Sequence, residues 1–227
     1  MMQILLDTAD VDKIKAVLPY FPIDGVTTNP SILAKEAKDV KGTLTEIRRL
    51  IGPDRMLFAQ ATASDSAGIV AQAETLNREL GPNFFTKIPI TVQGLRAVAT
   101  LHQRGLHTLM TAIFTPMQAL LAAKAGADYV APYVDRLDNI TSDGAAVVGE
   151  IVELYRQYGY QTKVLAASFK NIQQVYNAAS MGTHGVTLNA QLCEKLIFHP
   201  YTDKSLEDFD IDWRGRFGNK GIDEFFK

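Results

Sequence analysis

Cysteine is nearly absent from the 227-residue sequence, and this scarcity removes several kinds of site. The single thiol, Cys193, has no second cysteine with which to form an internal disulfide or a multi-cysteine metal site. Its neighbours are typical of an amphipathic helix, which predicts a buried or half-buried structural thiol. No histidine falls at metal-ligand spacing or beside a carboxylate cluster, so we expect no metal site at His102, His107, His184 or His199.

Long apolar runs and a charge of one sign are also missing. No uninterrupted apolar segment approaches the roughly 18 residues that a transmembrane helix needs, and the formal net charge is −2. We therefore expect neither a membrane nor a nucleic-acid partner. Segment 1–7 lacks a basic region followed by a long apolar stretch, so it predicts a strand rather than a signal peptide, and a cytoplasmic location.

The motifs of several common enzyme classes are absent. The sequence contains no Walker A, no Gly-x-Ser-x-Gly and no Gly-x-Gly-x-x-Gly pattern, which removes the common nucleotide-binding and serine-hydrolase interpretations. The first predicted strand is followed by Asp7-Thr8-Ala9-Asp10, without a glycine. An open doubly wound sheet usually carries a glycine-rich first turn for phosphates, so this segment argues against that fold.

Short apolar or β-branched segments alternate with longer segments of helical periodicity along most of the chain. Eight strand–helix units in a chain of this length favour an α/β fold of one kind, the (β/α)8 or TIM barrel. We predict a single domain over residues 1–227, with the barrel over about residues 1–199. The predicted strands are Ile4–Leu6, Gly25–Thr28, Met56–Gln60, Phe84–Ile88, Thr108–Ile113, Tyr129–Tyr133, Lys163–Ala167 and Gly185–Leu188.

Helical periodicity fills the intervals between these strands. One helix is expected to begin at Asn29-Pro30-Ser31 and to run to about Leu50, with a polar interruption near Lys38–Lys41. The other predicted helices are Val11–Leu18, Ser64–Leu80, Val92–Arg104, Pro116–Ala125, Ser142–Tyr158, Asn171–Ser180 and Ala190–Phe198. The tail over residues 200–227 is too aromatic for a disordered segment, which predicts that it docks on its own barrel or on a neighbouring subunit.

Polar residues cluster at the predicted C-terminal ends of the strands, where the active sites of such barrels lie. Because polar side chains are rare in buried parallel strands, each is a candidate site residue. The candidates are Asp7, Thr27, Asn29, Gln60, Lys87, Thr111, Tyr133, Arg136, Ser168 and Lys170. Asn189, after the eighth strand, is more typical of a helix cap.

Lys87 is the most informative of these residues because it stands inside the apolar segment Phe84–Pro89. Burial disfavours the ammonium form and lowers the pKa of a lysine, which makes the neutral amine available as a nucleophile for a ketone. A second interpretation remains open at this point. The amine could instead pair with a carboxylate at the barrel mouth, since buried lysines are usually paired.

The other candidates also have a structural interpretation beside the functional one. Asp7 and Asn29 could be N-caps of the helices that follow them, or could contact substrate hydroxyls. Tyr133 could be a core aromatic residue with a satisfied hydroxyl, or an acid–base group. Arg136 could be a solvated loop charge, or a bidentate phosphate clamp assisted by residues of the seventh strand–helix junction.

Several segments together resemble the small transaldolase family over most of the chain, from the first strand to the Trp213 region. The blocks that carry the resemblance are Asp7-Thr8-Ala9, Gly25-Val26-Thr27-Thr28-Asn29-Pro30-Ser31, Thr86-Lys87-Ile88-Pro89, Tyr129-Val130-Ala131-Pro132-Tyr133-Val134 with Arg136, and Leu165-Ala166-Ala167-Ser168-Phe169. The resemblance implies a Schiff base on Lys87 that needs no metal or other cofactor, with a sugar phosphate as substrate. It also implies a homo-oligomer, a pentamer or decamer, with the C-terminal helix packed on a neighbouring subunit.

The same resemblance suggests roles for seven of the ten candidates. Lys87 corresponds to the Schiff-base lysine, and Asp7 to an acid–base or hydroxyl-binding aspartate. The dihydroxyacetone end of the substrate falls to Thr27 and Asn29. The phosphate end falls to Arg136, Ser168 and Lys170, the last where many transaldolases have an arginine.

Four positions resemble the fructose-6-phosphate aldolase subgroup rather than true transaldolases: Gln60, Leu109, Ala131 and Tyr133, with Thr111 shared by both. This favours reversible cleavage of fructose 6-phosphate to dihydroxyacetone and glyceraldehyde 3-phosphate. The alternative is a transaldolase of the pentose phosphate pathway, which transfers the dihydroxyacetone unit between sugar phosphates. A barrel that only binds a sugar phosphate remains a third interpretation.

Overall fold

The computed structural model describes residues 1–227 and contains a closed barrel of eight parallel strands. Each strand pairs with the next in sequence, and the eighth returns to the first. The predicted barrel is therefore confirmed, and the strand bounds lie within one residue of those predicted. The strands are β1 (Gln3–Asp7), β2 (Gly25–Thr27), β3 (Met56–Gln60), β4 (Phe84–Pro89), β5 (Thr108–Ile113), β6 (Tyr129–Pro132), β7 (Lys163–Ala166) and β8 (Gly185–Leu188).

Eleven α-helices and one 3-10 helix, Ile222–Phe226, accompany the strands. Most begin after a capping residue with an extended backbone, such as Asp65 or Thr91, whose side chain accepts a hydrogen bond from a backbone N–H of the first turn. The α-helices are α1 (Val11–Val17), α2 (Pro30–Glu36), α3 (Val40–Ile51), α4 (Ser66–Leu80), α5 (Val92–Gln103), α6 (Pro116–Lys124), α7 (Val134–Asp138), α8 (Gly144–Tyr158), α9 (Ile172–Ser180), α10 (Ala190–Lys195) and α11 (Pro200–Phe217).

One helix prediction was wrong, and one short helix was not predicted. The single helix expected from Pro30 to Leu50 is two helices, because Ala37 is extended and Asp39 caps α3 by accepting a hydrogen bond from Gly42 N at 2.8 Å. The short helix α7 was not predicted. Its five residues are too few for a helical period, and Tyr133 at its N-terminus makes no side-chain capping bond.

Side chains of alternate strand residues fill the barrel interior, as the two-residue period of a strand requires. The interior core contains Leu5, Met56, Phe58, Phe85, Leu109, Tyr129, Ala131, Leu165 and Ala167. Phe58 and Phe85 stack at a centroid distance of 4.7 Å, and Tyr129 meets both rings edge-on. Residues two positions further along the same strands keep this inward parity, which brings the polar strand ends together above the core.

The chain divides into two compact units, residues 1–193 and residues 194–227. The first contains the barrel and the buried thiol of Cys193, as expected. The second contains α11, which has no buried residue, and a ring cluster of Trp213, Phe217 and Phe225. The predicted additional C-terminal helix is present, and the single-domain description stays a prediction. No helix is long and apolar enough to span a bilayer.

Candidate active site

A cavity of about 520 Å³ opens at the C-terminal ends of the strands. Nine of the ten candidate residues line it: Asp7, Asn29, Gln60, Lys87, Thr111, Tyr133, Arg136, Ser168 and Lys170. The tenth, Thr27, is buried and contacts Asp7. Closure of the barrel is what gathers residues up to 163 positions apart in sequence around one space.

Lys87 projects into this cavity from β4, two residues beyond the interior side chain of Phe85. The residue is only 6% exposed, and its Nζ donates a hydrogen bond to the carbonyl oxygen of Thr28 at 2.8 Å. It forms no salt bridge, unlike the paired lysine that the sequence left open. Burial lowers the pKa of Lys87, and the charge of Asp7 opposes that shift only in part. The neutral amine is thereby favoured.

Asp7 ends β1 at the cavity wall and does not cap the next helix. Asp10 has that role, since its side chain accepts hydrogen bonds from the backbone of Asp12 and Lys13. Withdrawal from solvent raises the pKa of Asp7. The charge of Lys87 and a hydrogen bond from Thr27 Oγ1 at 2.7 Å oppose this rise in pKa.

The hydroxyl of Thr187 on β8 also belongs to the site, although it was not among the candidates. Its Oγ1 lies 2.5 Å from Thr27 Oγ1, and the side chain is buried. The signal that could have found Thr187 is strand parity, because Thr187 lies two residues beyond Gly185 and two before Asn189, which also lines the cavity. Because β-branched residues are common in strands, the residue type alone does not indicate a site at Thr187.

Asn29 has the capping role that the sequence left open, and its contact with substrate hydroxyls stays a prediction. Its Oδ1 accepts a hydrogen bond from Ile32 N at 2.9 Å and so caps α2. The amide nitrogen bonds no protein group and remains a donor at the cavity wall. Asn189 caps α10 in the same manner, through a 2.9 Å bond from Leu192 N, as expected.

Gln60 and Lys87 are partners in the ladder between β3 and β4, so the two side chains enter the cavity side by side. The amide of Gln60 has no hydrogen-bond partner in the protein and carries no charge. It is therefore free to orient water or substrate next to the amine.

A pair of hydroxyls lines the cavity beside the ends of β5 and β6. Tyr133 OH lies 2.8 Å from Thr111 Oγ1, and either can be the donor. A β-bulge between Thr111 and Ile113 places Ala112 in the left-handed region at φ 59°, and the edge of Phe114 packs on the Tyr133 ring. This irregular backbone ends the regular pairing of β5 with β6 and sets the direction of both hydroxyls.

The cavity rim carries the cations. Arg136 stands on α7, with its guanidinium 5.0 Å from the centre of the Tyr133 ring. Backbone bonds from Val134 N to Ala167 O (3.0 Å) and from Asp135 N to Ser168 O (2.8 Å) join α7 to the end of β7. Arg136 and Lys170 are exposed and form no salt bridge, and Ser168, which lies between them in sequence, also lines the cavity. Such a group suits an anionic ligand.

A closed β/α barrel with a buried, unpaired lysine at the strand ends defines an enzyme-type site. The chain belongs to the family described as transaldolase/fructose-6-phosphate aldolase, whose model matches residues 4–222. No group of three or more histidine, cysteine, aspartate or glutamate side chains is placed to hold a metal ion.

Curated relatives carry related names. A probable transaldolase of Anaeromyxobacter dehalogenans (strain 2CP-C) is 44% identical over 213 residues, which cover 93% of this chain and 96% of the relative. A probable transaldolase of Geotalea uraniireducens (strain Rf4) is 42% identical over 212 residues, covering 93% and 98%.

Solved structures show the same fold at low sequence identity. A structure described as native KDPGal has a TM-score of 0.59 at 14% identity and covers 83% of this chain and 82% of its own. The thiamine phosphate pyrophosphorylase of Pyrococcus furiosus has a TM-score of 0.60 at 14% identity, covering 86% and 93%. At this identity the likeness concerns the barrel alone.

Proposed function

We propose that the protein is a class I aldolase that reversibly cleaves fructose 6-phosphate to dihydroxyacetone and glyceraldehyde 3-phosphate. The observation that carries this proposal is the amine of Lys87, which is buried, unpaired with any carboxylate, and open to a cavity that could hold a sugar phosphate. A Schiff base on this amine supplies the electron sink, so the reaction needs no metal or other cofactor.

The chemistry balances on groups that the cavity contains. The Lys87 amine attacks the keto carbon, and loss of water leaves an iminium ion. The bond between C3 and C4 then breaks, its electrons move into the iminium to form an enamine, and the C4 hydroxyl proton passes to a base. The enamine takes a proton back at C3, and water releases dihydroxyacetone and the free amine.

The acid–base work falls to side chains around the amine. Asp7, with its raised pKa, is suited to exchange a proton with a hydroxyl of the substrate or with the carbinolamine. Tyr133, coupled to Thr111 at 2.8 Å, is suited to deliver a proton to the enamine and to position the water that hydrolyses the Schiff base. Gln60 orients water beside Lys87 but is too weak a base to activate it.

The remaining candidates hold the two ends of the substrate. Asn29, with a free amide N–H group, and Thr27, through Asp7, serve the dihydroxyacetone end. Arg136, Ser168 and Lys170 serve the phosphate, because two cations and a hydroxyl line the same cavity.

Transfer of the dihydroxyacetone unit to a second sugar phosphate is the other candidate activity. The names of the curated relatives favour it, since those relatives are described as probable transaldolases. Against it stand Gln60 in place of an ionised carboxylate, and the apolar interior side chains Leu109 and Ala131 beneath the cavity. Apolar groups there hold a dihydroxyacetone unit less tightly, which favours its release to water.

One coupled assay separates the two activities. With fructose 6-phosphate alone, the aldolase releases glyceraldehyde 3-phosphate at a steady rate, whereas the transaldolase turns over steadily only when erythrose 4-phosphate is added. A steady rate that requires the acceptor would reverse our first choice.

A trapping experiment tests the covalent step that both activities share. Borohydride reduction in the presence of dihydroxyacetone, followed by peptide mass spectrometry, is expected to place an adduct on Lys87 and on no other lysine. Lys87→Ala should abolish turnover. Absence of the adduct from folded protein would leave only a barrel that binds a sugar phosphate.

We also propose that the enzyme acts in the cytoplasm as a pentamer or decamer. Support for the assembly comes from α11, which exposes Leu206, Phe209 and Ile211, each more than 60% accessible. A helix with such side chains in water favours association. Light scattering should give five or ten times the chain mass, and a monomeric mass would refute this proposal.

A further inference from the structure

Three side chains from neighbouring strands form a continuous hydrogen-bonded chain at the base of the cavity. Thr187 on β8 lies 2.5 Å from Thr27 on β2, and Thr27 lies 2.7 Å from Asp7 Oδ1 on β1. Because β1 stands between β2 and β8 in the closed barrel, both threonines reach toward the barrel axis from either side of Asp7. Both threonines are at most 4% exposed. Asp7 and Thr187 border the open cavity, and Thr27 does not.

The number of protons fixes the direction of this chain. A hydroxyl has one proton to donate, and an ionised carboxylate only accepts. Thr27 therefore spends its proton on Asp7, and Thr187 must donate its own proton to Thr27. The lone pairs of Thr187 Oγ1 are then left as acceptors at the cavity wall. If Asp7 takes up a proton, each hydroxyl can rotate, and Thr187 becomes a donor toward the cavity instead.

We propose that Thr187 is a positioning residue for the reaction, which holds the hydroxyl of Thr27 in its hydrogen bond to Asp7. Its own hydroxyl accepts a hydrogen bond from the bound substrate when Asp7 is ionised and donates one when Asp7 is protonated. Its effect on turnover rests on the proposed aldolase or transaldolase activity. Its effect on the titration of Asp7 is independent of that activity. A hydrogen bond donated to Thr27 polarises the bond that Thr27 donates onward, and it stabilises the ionised form of Asp7.

Other charged groups act on Asp7 from the elements around it. Lys87 on β4 favours the ionised carboxylate, and Glu36 at the end of α2 disfavours it. Glu36 is itself occupied, because its Oε2 accepts hydrogen bonds from Thr8 Oγ1 and Ala9 N, each at 2.8 Å. The cations at the cavity rim, Arg136 and Lys170, are exposed, so solvent and salt screen their charges from Asp7. Substitution of the uncharged Thr187 leaves all these charges in place, so it isolates the hydroxyl chain.

The test removes the hydroxyl while keeping the shape. Thr187→Val should shift the Asp7 carboxyl titration, followed by carbon-13 NMR of the ligand-free protein, to higher pH. It should also lower kcat about five- to tenfold, because one hydrogen bond near a charge is lost. KM should change by less than about twofold. Thr187→Ser keeps the hydroxyl and should restore both values to within about twofold of the parent.

Thr108→Val is the matched control, because Thr108 is a buried strand threonine whose hydroxyl has no partner and does not border the cavity. It should move neither the titration nor kcat. If Thr187→Val does not fold, Thr187→Ala against Thr187→Ser makes the same comparison. The proposal is overturned if Thr187→Val leaves the Asp7 titration unchanged. It is also overturned if Thr187→Ser lowers kcat as much as Thr187→Val does. Failure to trap an adduct on Lys87 would remove the proposed activity, while the titration would still decide the role of Thr187.

Discussion

The hydroxyl of Tyr133 lies 2.8 Å from the hydroxyl of Thr111, and this contact joins the ends of β6 and β5 at the cavity wall. Thr111 is buried, whereas Tyr133 is only half-buried, so the pair has one member in the barrel interior and one that substrate can touch. A phenol held in this way keeps its direction while its proton is exchanged. The consequences for turnover can be measured.

Tyr133→Phe should slow release of glyceraldehyde 3-phosphate and dihydroxyacetone. General acid–base catalysis by one positioned group contributes about 10²- to 10⁴-fold, so kcat in the coupled assay should fall within that range. Tyr155→Phe is the control, since the Tyr155 hydroxyl donates to Ala119 O at 2.7 Å, away from the cavity. The control should lose stability but not activity. An unchanged cleavage rate in Tyr133→Phe would contradict an acid–base role.

Gln60→Glu should move Schiff-base formation to higher pH. A carboxylate beside Lys87 favours the ammonium form and raises its pKa, so a smaller fraction of the amine is neutral at a given pH. Borohydride trapping across a pH series measures the shift. Gln103→Glu places the same charge on the exposed end of α5 and should leave the trapping profile where it was. A profile that Gln60→Glu does not move would mean that this side chain does not act on the amine.

Asp7→Asn should stabilise the protein increasingly as pH rises above about 4. Burial raises the pKa of Asp7 above its ordinary value of 3.8, so the folded state holds the carboxyl proton more tightly than the unfolded state. The stability from this group is full below 3.8 and is lost as pH rises through the folded pKa. Asparagine avoids that loss and still accepts the bond from Thr27.

Thermal unfolding of the parent and of Asp7→Asn at about pH 4 and about pH 8 measures the stability difference between them. That difference should grow with pH, because the folded and unfolded states of the parent bind the Asp7 proton with different affinity. The same variant should lower the pKa of Lys87 further, because it removes the negative charge that opposes the lowering caused by burial. A stability difference that is constant across the pH series would show that Asp7 does not titrate abnormally in the folded protein.

Thr108→Val should raise stability by about 1 kcal/mol, because the Thr108 hydroxyl is buried without a hydrogen-bond partner and valine has the same shape. Thr183→Val is the contrasting variant. Its hydroxyl donates toward Val164 O (3.0 Å) and Gly185 O (2.9 Å), so that substitution should lower stability by about 1–3 kcal/mol. Denaturant unfolding compares the two. A destabilised Thr108→Val would reveal a partner for that hydroxyl.

The strands were predictable because each is a short apolar segment with a polar residue at or just after its end, and eight strand–helix units in a chain of this length favour a barrel. Cavity residues such as Lys87 and Gln60 could be found for the same reason, since strand ends meet at one edge. The boundary at Ala37 and the short α7 were not predictable, because both depend on local capping and on backbone bonds to β7 rather than on a period.

The sequence by itself determined the barrel, its strands, the family and the lysine that stands inside an apolar strand, because these follow from periodicity and from motifs that are contiguous in the chain. Only the tertiary structure decided that Lys87 has a carbonyl and no carboxylate as partner, and that Asp7 receives its hydrogen bond from a hydroxyl chain ending at Thr187. Those contacts join residues as far as 160 positions apart, and closure of the barrel brings them within bonding distance.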